Sequence, residues 1–395
     1  MPLRISHISA GLTAVVVGYS SAVVIVIEAA TAAGASASQV ISWLCILGLG
    51  MGVSCIGLSL YHRMPVVSAW STPGAAFLIL AVPGYSLPEV TGAFISSALI
   101  SIAVTQIKPL LKMIERIPPA LSSGMLAGIL LPFCLTVFVQ GNEDPALMAA
   151  FIGVYLLGSF YFPRYVMLVL LVAAGCAGFV LNQAPLTFAP FQSPTLIWVT
   201  PEFSWAATLS LALPLSLITM LSQNLPGLAI LHSHGYRPPS AGLLNSVNAT
   251  TLISAPFGGF TFNLAAITAA ICMGDHVDND KQQRFWAGVM AGVFYLLAGT
   301  FAASIVSLFT QLPQLIIHLL AGLALIGTLQ ASLVKMINDE HHRHAGTLTF
   351  LCSGSGLTMI GLGSPVWGLM LGGLIVAFTH VRSEIKPTQK GAHSN

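Results

Sequence analysis

The sequence predicts an all-α polytopic membrane protein with fourteen transmembrane segments, arranged as two inverted repeats of seven. Three observations carry this prediction. Of its 395 residues only 7% are charged and 55% are hydrophobic, whereas a soluble domain carries roughly a quarter charged residues. Its fourteen Lys and Arg residues fall on one side of a bilayer once the apolar runs are threaded as fourteen spans. Its two halves place Pro, Gly and hydroxyl residues at matching ordinal spans.

A span needs about 20 apolar residues to cross about 30 Å of hydrocarbon. The first seven apolar runs occupy 9–33, 38–60, 66–83, 88–107, 118–140, 145–161 and 163–181. The second seven occupy 206–231, 239–253, 256–274, 285–309, 313–335, 345–361 and 363–381. With the N-terminus cytoplasmic, all basic residues lie inside, from Arg4, Arg63 and Lys108 through Lys281 and Lys335 to Arg382, Lys386 and Lys390. Glu143, Asp144 and Glu202 lie outside. This is the positive-inside rule without exception. Adding or removing one span would move most of the later basic residues to the wrong side. Arg4, the first apolar run and Ala35-Ser36-Ala37 imitate a secretory signal. The run is longer than the hydrophobic region of a signal, and the repeat requires it as a helix.

The repeat shows in short matches that keep their order. Pro119 to Gly128 in span five corresponds to Pro313 to Gly322 in span twelve, each with a Pro nine residues before the Gly of a Leu-Ala-Gly ending. Span one ends in Gly34 and span eight in Gly235, which brings Ser21 opposite Ser222. Seven spans per copy make the copies inverted. Inverted repeats of this kind occur in secondary transporters, which bind substrate near the midplane where the repeats meet.

Spans three and ten, equivalent under the repeat, each read as a short extended segment followed by a half-helix. In span three, β-branched, aromatic and hydroxyl residues run up to Ser71-Thr72-Pro73-Gly74 before an apolar helical stretch. In span ten, Pro256 to Phe262 precedes Asn263-Leu264-Ala265 in the same manner. Pro and Gly oppose a continuous helix, Thr72 and Asn263 are good N-caps, and Pro73 suits the first helical position. Such a half-helix rises about 16 Å, so its N-terminus lies near the midplane. Extended backbone at that depth must be paired or line a cavity. Two strands from inverted repeats can pair with each other and aim two helix N-termini at one site, which favours an anion.

Span eight adds Gln223 and Asn224, which are costly in hydrocarbon and must bond inside the protein. Pro226 and Gly227 follow them and free backbone carbonyls. Glu28, toward the outer end of span one, is the acid placed inside a span and is the candidate proton carrier. His318 near the outer end of span twelve is a weaker one.

Ala69 to Leu78, Ser222 to Gly227 and Asn263 to Cys272, in that order, resemble the bacterial benzoate/proton symporter family over essentially the whole chain. That family is related to the nucleobase/ascorbate and sulfate permeases. The resemblance implies a uracil permease-like fold in a bacterial inner membrane, with both termini cytoplasmic. It implies a core domain from residues 1–117 and 203–309, and a gate domain from 118–202 and 310–395. Substrate would lie between them, against spans three, eight and ten. Where nucleobase carriers hold acids in spans eight and ten, this chain has Gln223 and the neighbourhood of Phe262 and Asn263, which suits an anion better than a neutral base. A carboxylate would take the N–H groups of Thr72 to Gly74 and of Asn263, Leu264 and Ala265, helped by the Ser71, Thr72 and Asn263 side chains. Its ring would need an apolar slot, for which Trp70, Phe260, Phe262 and Tyr19 are candidates. Tyr19, Ser20 and Ser21 sit mid-span, facing the polar part of span eight.

The expected partners are therefore a small aromatic carboxylate, a proton and the lipid bilayer, with a homodimer left open. No cofactor, metal or nucleic acid is expected. His341, His342 and His344, and the run Asp275 to Asp280, lack a recognised ligand spacing. The six Cys lie in apolar spans without CxxC pairs. Lys108 to Ile117 alternates basic and apolar residues and reads as an interfacial helix. An uncoupled facilitator for small anions, or a carrier of another organic anion or a nucleobase-like substrate, is the alternative. An enzyme is disfavoured, because no nucleophile, base or metal set converges at midplane depth.

Overall fold

A computed structural model describes residues 3–182, 191 and 193–385. Lys386 and Lys390 lie outside the described residues. The first half contains α1 (Ile5–Ser20), α2 (Val23–Ala32), α3 (Ala37–His62), β1 (Ser68–Trp70), α4 (Thr72–Ala81) and α5 (Leu87–Gln106). It continues with α6 (Lys108–Glu115), α7 (Pro119–Gln140), α8 (Pro145–Tyr161) and α9 (Val166–Asn182). The second half opens with α10 (Trp205–Ala207), α11 (Leu213–Thr219) and α12 (Leu225–Ser233). These three form one long helix interrupted by π-turns at Thr208–Ala212 and Met220–Asn224. Then come α13 (Ser240–Ser254), β2 (Phe262–Leu264), α14 (Ile267–Met273), α15 (Phe285–Thr300), α16 (Ala302–Thr310), α17 (Gln314–Asn338), α18 (Arg343–Gly354) and α19 (Ser364–Ile385).

Local chemistry sets many of these boundaries. Ser36 with Gln39 and Ser86 with Glu89 form capping boxes at the starts of α3 and α5, each satisfying two orphan backbone donors. Asp144 caps α8 through the Leu147 N–H at 2.9 Å, with Pro145 at its first turn. Each π-turn of the 205–233 helix stands just before a proline, Pro214 or Pro226. A proline ring clashes with the carbonyl four residues back, and widening the helix there moves that carbonyl away.

Among the described residues, five helices are long and apolar enough to cross a membrane alone: α3, α5, α7, the 205–233 helix and α17. Two bent pairs qualify jointly, α1 with α2 at 41° and the 281–300 helix with α16 at 59°. The apolar run 345–361 is not helical throughout, since α18 stops at Gly354 and a turn bridged by Met359 and Leu362 follows. The tightest helix packing falls in two groups, which also touch each other through α4 with α7 and α2 with α17. α3 packs on α15, α15 on α1, α1 on α14, and α13 on α5, while α7 packs on α17, α18 and α19.

The N-terminus is pinned to the connection after α14. Asp278, 4% exposed, takes Arg4 Nη1 and His7 Nε2 on its two oxygens, each at 3.0 Å. The Arg4 N–H donates to His7 Nδ1 at 3.1 Å, so the ring proton sits on Nε2 and points at Asp278. Arg284 donates to the Asp278 and Met273 carbonyls and to the Asp275 carboxylate. The Asp280 N–H is the largest influence holding the Asp278 carboxyl below the usual range; the His7 hydrogen bond and the Arg4 charge add to it against desolvation.

A carboxylate whose pKa is depressed on folding contributes stability above its unfolded value, near 4, and loses it as pH falls through the folded value. Thermal melting of the purified protein should therefore show stability falling below about pH 4. Asp278→Asn should lower the melting temperature at pH 7 and flatten that acid limb. An unchanged pH profile in the variant would remove this role for Asp278.

Candidate functional site

β1 and β2 pair antiparallel, with Ser68 opposite Leu264, Ala69 opposite Asn263 and Trp70 opposite Phe262. Two flanking bonds extend the ladder, Ser71 N–H to Thr261 O at 3.1 Å and Ala265 N–H to Val67 O at 2.9 Å. Side chains complete it. The Phe262 N–H bonds Thr251 Oγ1 at 2.9 Å, the Leu264 N–H bonds Asn224 Oδ1 at 3.0 Å, and Ser68 bonds Cys55 and Ser54. Asn224, at the end of a π-turn, thus holds β2 from the neighbouring helix. Gly227 lets that helix come this close, since a Cβ there would overlap the Leu264 backbone.

The half-helix boundaries differ from expectation. Ser71, not Thr72, caps α4, accepting from the Gly74 N–H at 3.1 Å, and Thr219 Oγ1 donates to the Ser71 oxygen at 3.1 Å. Pro73 occupies the second helical position rather than the first. Asn263 is not a cap but the middle of β2, and α14 begins four residues later behind Ala266. The reason is strand pairing, which uses the backbone of 262–265 before a helix can start. The N–H groups of Gly74, Leu264 and Ala265 are accordingly already bonded, and on α4 the Thr72 N–H has no partner among the described residues.

Side-chain alternation puts Ala69 and Asn263 on one face of the strand pair and Trp70 and Phe262 on the other. The Phe262 ring packs against α3, where any residue larger than Gly50 would overlap it. Phe260, fully buried, clusters with Trp43 and Phe94. Trp70 packs on Tyr19, ring centroids 4.9 Å apart. Ser20 and Ser21 lie at the break between α1 and α2 and return their hydroxyls to Val17 O and Gly18 O, a pattern that bends helices. Tyr19 and Ser20 also border an apolar cavity of about 340 Å³ shared with α9 and α16.

Around this junction lie buried polar atoms with no partner among the described residues. They are the Tyr19 hydroxyl, Thr261 Oγ1, Thr268 Oγ1 and both amide atoms of Asn263. Asn263 is fully buried. Each such atom costs about 1–3 kcal/mol if left unpaired, and native proteins keep few of them. Thr261 shares a face with Asn263, two residues on; Thr268 is on α14, against the turn of α1 at Gly18. Gln223 is half-buried, and its side chain makes no hydrogen bond among the described residues.

Two cavities lie between this group of helices and α7 and α17. One, of about 200 Å³, lies among Ser122, Ser222, Pro226, Ile267, Thr328 and Lys335. Lys335 was expected in an inner connection, yet it lines this crevice. Its signal was available in the sequence: Thr328, Ser332 and Lys335 follow a helical spacing of four and three, one polar stripe on α17. The other cavity, of about 620 Å³, brings together Glu28, Thr31, Thr136, Gln140, Gln314 and His318. Glu28 Oε1 on α2 and His318 Nε2 on α17 stand 3.9 Å apart across it. The sequence offered these two separately; the fold joins them.

A broken first helix, paired strands leading into half-helices, and crevices against a second helix group define a membrane transporter rather than an enzyme. The comparisons agree. A family described as "Benzoate membrane transport protein" matches residues 1–378, and the chain belongs to that family. It is 39% identical to "Inner membrane protein YdcO" of Escherichia coli (strain K12), covering 92% of this chain and 93% of that one. It is 37% identical to "Benzoate membrane transport protein" of Acinetobacter baylyi, covering 92% of each. Among solved structures, the transmembrane domain of the cyanobacterial bicarbonate transporter BicA superposes with TM-score 0.61 at 13% identity, covering 94% of this chain and 98% of that one. SLC26A9 gives 0.63 at 14% identity, covering 95% of this chain and 65% of that one. These structures share the fold.

Adjacent residues of the π-turn should separate by role. Asn224→Ala leaves the Leu264 N–H buried without an acceptor and should cost about 1–3 kcal/mol, read as a lower melting temperature in detergent. Gln223→Ala, which breaks no bond, should melt within error of wild type. Equal melting of the two variants would remove the strand-holding role of Asn224.

Proposed function

We propose that this protein is a secondary transporter that takes up benzoate or a similar aromatic carboxylate across the inner membrane together with a proton. In this reading the fold has fourteen spans in two inverted repeats. Spans one to four and eight to eleven form a core that moves against a gate of spans five to seven and twelve to fourteen. The observation that carries the reading is the concentration of unpartnered buried polar atoms at Tyr19, Thr261, Asn263 and Thr268. Such atoms are tolerated where a ligand completes them.

The substrate carboxylate is an acceptor, so it needs donors: the Asn263 amide, the Thr268 and Tyr19 hydroxyls, and the Thr72 N–H at the positive end of α4. Gln223 supplies a further amide. The ring lies against Tyr19, which Trp70 backs with its own ring tilted at 56°, so that the pair offers an aromatic wall. Ser71, Pro73, Gly74, Leu264, Ala265 and Asn224 build the frame that holds these donors, and Ser20 and Ser21 supply the bend. Phe260 and Phe262 act through packing. The family and one of the two relatives carry benzoate in their descriptions, which agrees with a site rich in neutral donors. Glu28, facing His318 across the larger cavity, is the proton-carrying candidate, since it is an acid on one helix group within reach of the other.

Labelled benzoate, uracil and sulfate should be offered to proteoliposomes with and without an inward proton gradient. Benzoate alone should accumulate above its external concentration, and only with the gradient. Benzoate that merely equilibrates would identify an uncoupled facilitator and overturn the coupling. Asn263→Ala and Gln223→Ala should each weaken benzoate binding at least about tenfold, as expected for a lost hydrogen bond to a charged group. Unchanged affinity in both would remove this site. Glu28→Gln should abolish gradient-driven accumulation while leaving benzoate counterflow; accumulation at the wild-type level would clear Glu28 of the role.

A further inference from the structure

The charged residues at the ends of α1, α3, α12 and α14 do not balance one another. Asp278 is taken by Arg4 and His7, and Asp275 by Arg284. Asp280 turns a carboxylate oxygen to the Gln282 N–H at 2.9 Å. Arg63 and Lys281 are left without an acidic partner among the described residues.

Both cations are instead braced on aromatic rings. Arg63 Cζ stands 5.0 Å from the Phe285 ring centroid and Lys281 Nζ 4.5 Å from that of Tyr236. The Tyr236 hydroxyl donates to the Lys281 carbonyl at 3.0 Å, which ties the lysine backbone to the ring its own amine covers. Arg63 closes α3 with φ of 52°, a left-handed conformation that an L-residue adopts against a steric penalty. A cation–π contact orients a charge without cancelling it. Arg63, Tyr236, Lys281, Gln282, Gln283 and Phe285 line one hollow of about 620 Å³. None of the six lines the crevice at Lys335 or the cavity at Glu28.

We infer that this hollow binds a phosphate-bearing anion, delivered as an anionic phospholipid headgroup or as a soluble phosphate. The guanidinium can give two parallel hydrogen bonds to phosphate oxygens, and the ammonium adds a point charge opposite. The two glutamine amides add neutral donors, and the rings wall the sides. A headgroup that carries its own ammonium gains less from two cations. Arg63 and Lys281 belong to the basic face that the charge distribution assigns to the cytoplasm, where anionic headgroups bind in basic pockets between helices.

The test uses the full-length protein and a double variant, Arg63→Asn with Lys281→Gln. Asn tolerates the left-handed conformation, and uptake by the variant, whose transport site is untouched, reports that it is folded. Native mass spectrometry after exposure to equal phosphatidylglycerol and phosphatidylcholine should show wild type retaining phosphatidylglycerol at least about tenfold over phosphatidylcholine. The double variant should retain both alike. Thermal melting with inorganic phosphate separates the sources. Phosphatidylglycerol retention with no phosphate effect assigns the site to lipid. A phosphate-dependent rise in melting temperature that the variant loses, with lipid displaced, assigns it to a soluble anion. Identical lipid retention and identical phosphate response in both proteins would overturn the inference. Should the double variant fail to fold, Lys281→Gln alone is compared with Lys281→Arg, which must keep the preference if the charge is what binds.

Discussion

Satisfying backbone groups at membrane depth is the constraint on which this architecture depends. An extended segment in hydrocarbon exposes N–H and C=O groups that water cannot reach. β1 and β2 answer it by pairing with each other, although nearly two hundred residues separate them in the chain. The pairing obliges the two half-helices to start beside one another. It also recruits neighbours, because the N–H groups that the ladder leaves over are met by Thr251 on α13 and Asn224 beside α12. The long 205–233 helix is widened before Pro226, and Gly227 admits the Leu264 backbone there. Strand pairing, π-turn and glycine contact are parts of one solution.

That solution divides backbone from side chain. The main chain at the junction is almost wholly bonded, while Tyr19, Thr261, Asn263 and Thr268 keep polar atoms unmatched. Main-chain donors used in the ladder cannot be lent to a substrate without opening the strands. In the transport reading, a ligand at the junction is therefore recognised chiefly by side chains, apart from the Thr72 N–H. This differs from recognition by two bare helix N-termini and gives individual residues more control over what is bound.

The contrast explains what could be read in advance. Apolar runs and the Pro and Gly around Pro73 and Pro256 are local or periodic signals, and they located the helices and the broken segments. The cap of α4 was misplaced by one residue because Ser71 and Thr72 are both good caps, and the choice falls to the strand that precedes them. Asn263 looked like a cap for the same reason, and only pairing with Ala69 makes it a strand residue. Phe260 and Phe262 looked like a ring slot, but their direction depends on Gly50, Trp43 and Phe94, which belong to other spans. Lys335 was legible as part of a polar stripe, though not as a cavity residue, since that needs α17 placed against the 205–233 helix. Contacts distant in sequence are what the residue pattern does not encode.

Electrostatics gives the two crevices different characters. The smaller one holds Lys335 as its charged group, with Ser122, Ser222 and Thr328 nearby. The larger holds Glu28 and His318 amid glutamine amides and threonines. In the transport reading an anion bound by neutral donors at the junction feels a fixed positive charge on one side and an acid on the other. A permanent cation at the binding site itself would hold a carboxylate too tightly for release, because charge attraction strengthens as water is excluded. A cation at the mouth of the crevice instead draws the anion away from the site and remains open to solvent, where screening lets it go. The acid on the opposite side repels the anion when ionised and ceases to do so once protonated. Substrate entry from that side is then linked to proton binding through charge alone, without contact between Glu28 and the substrate.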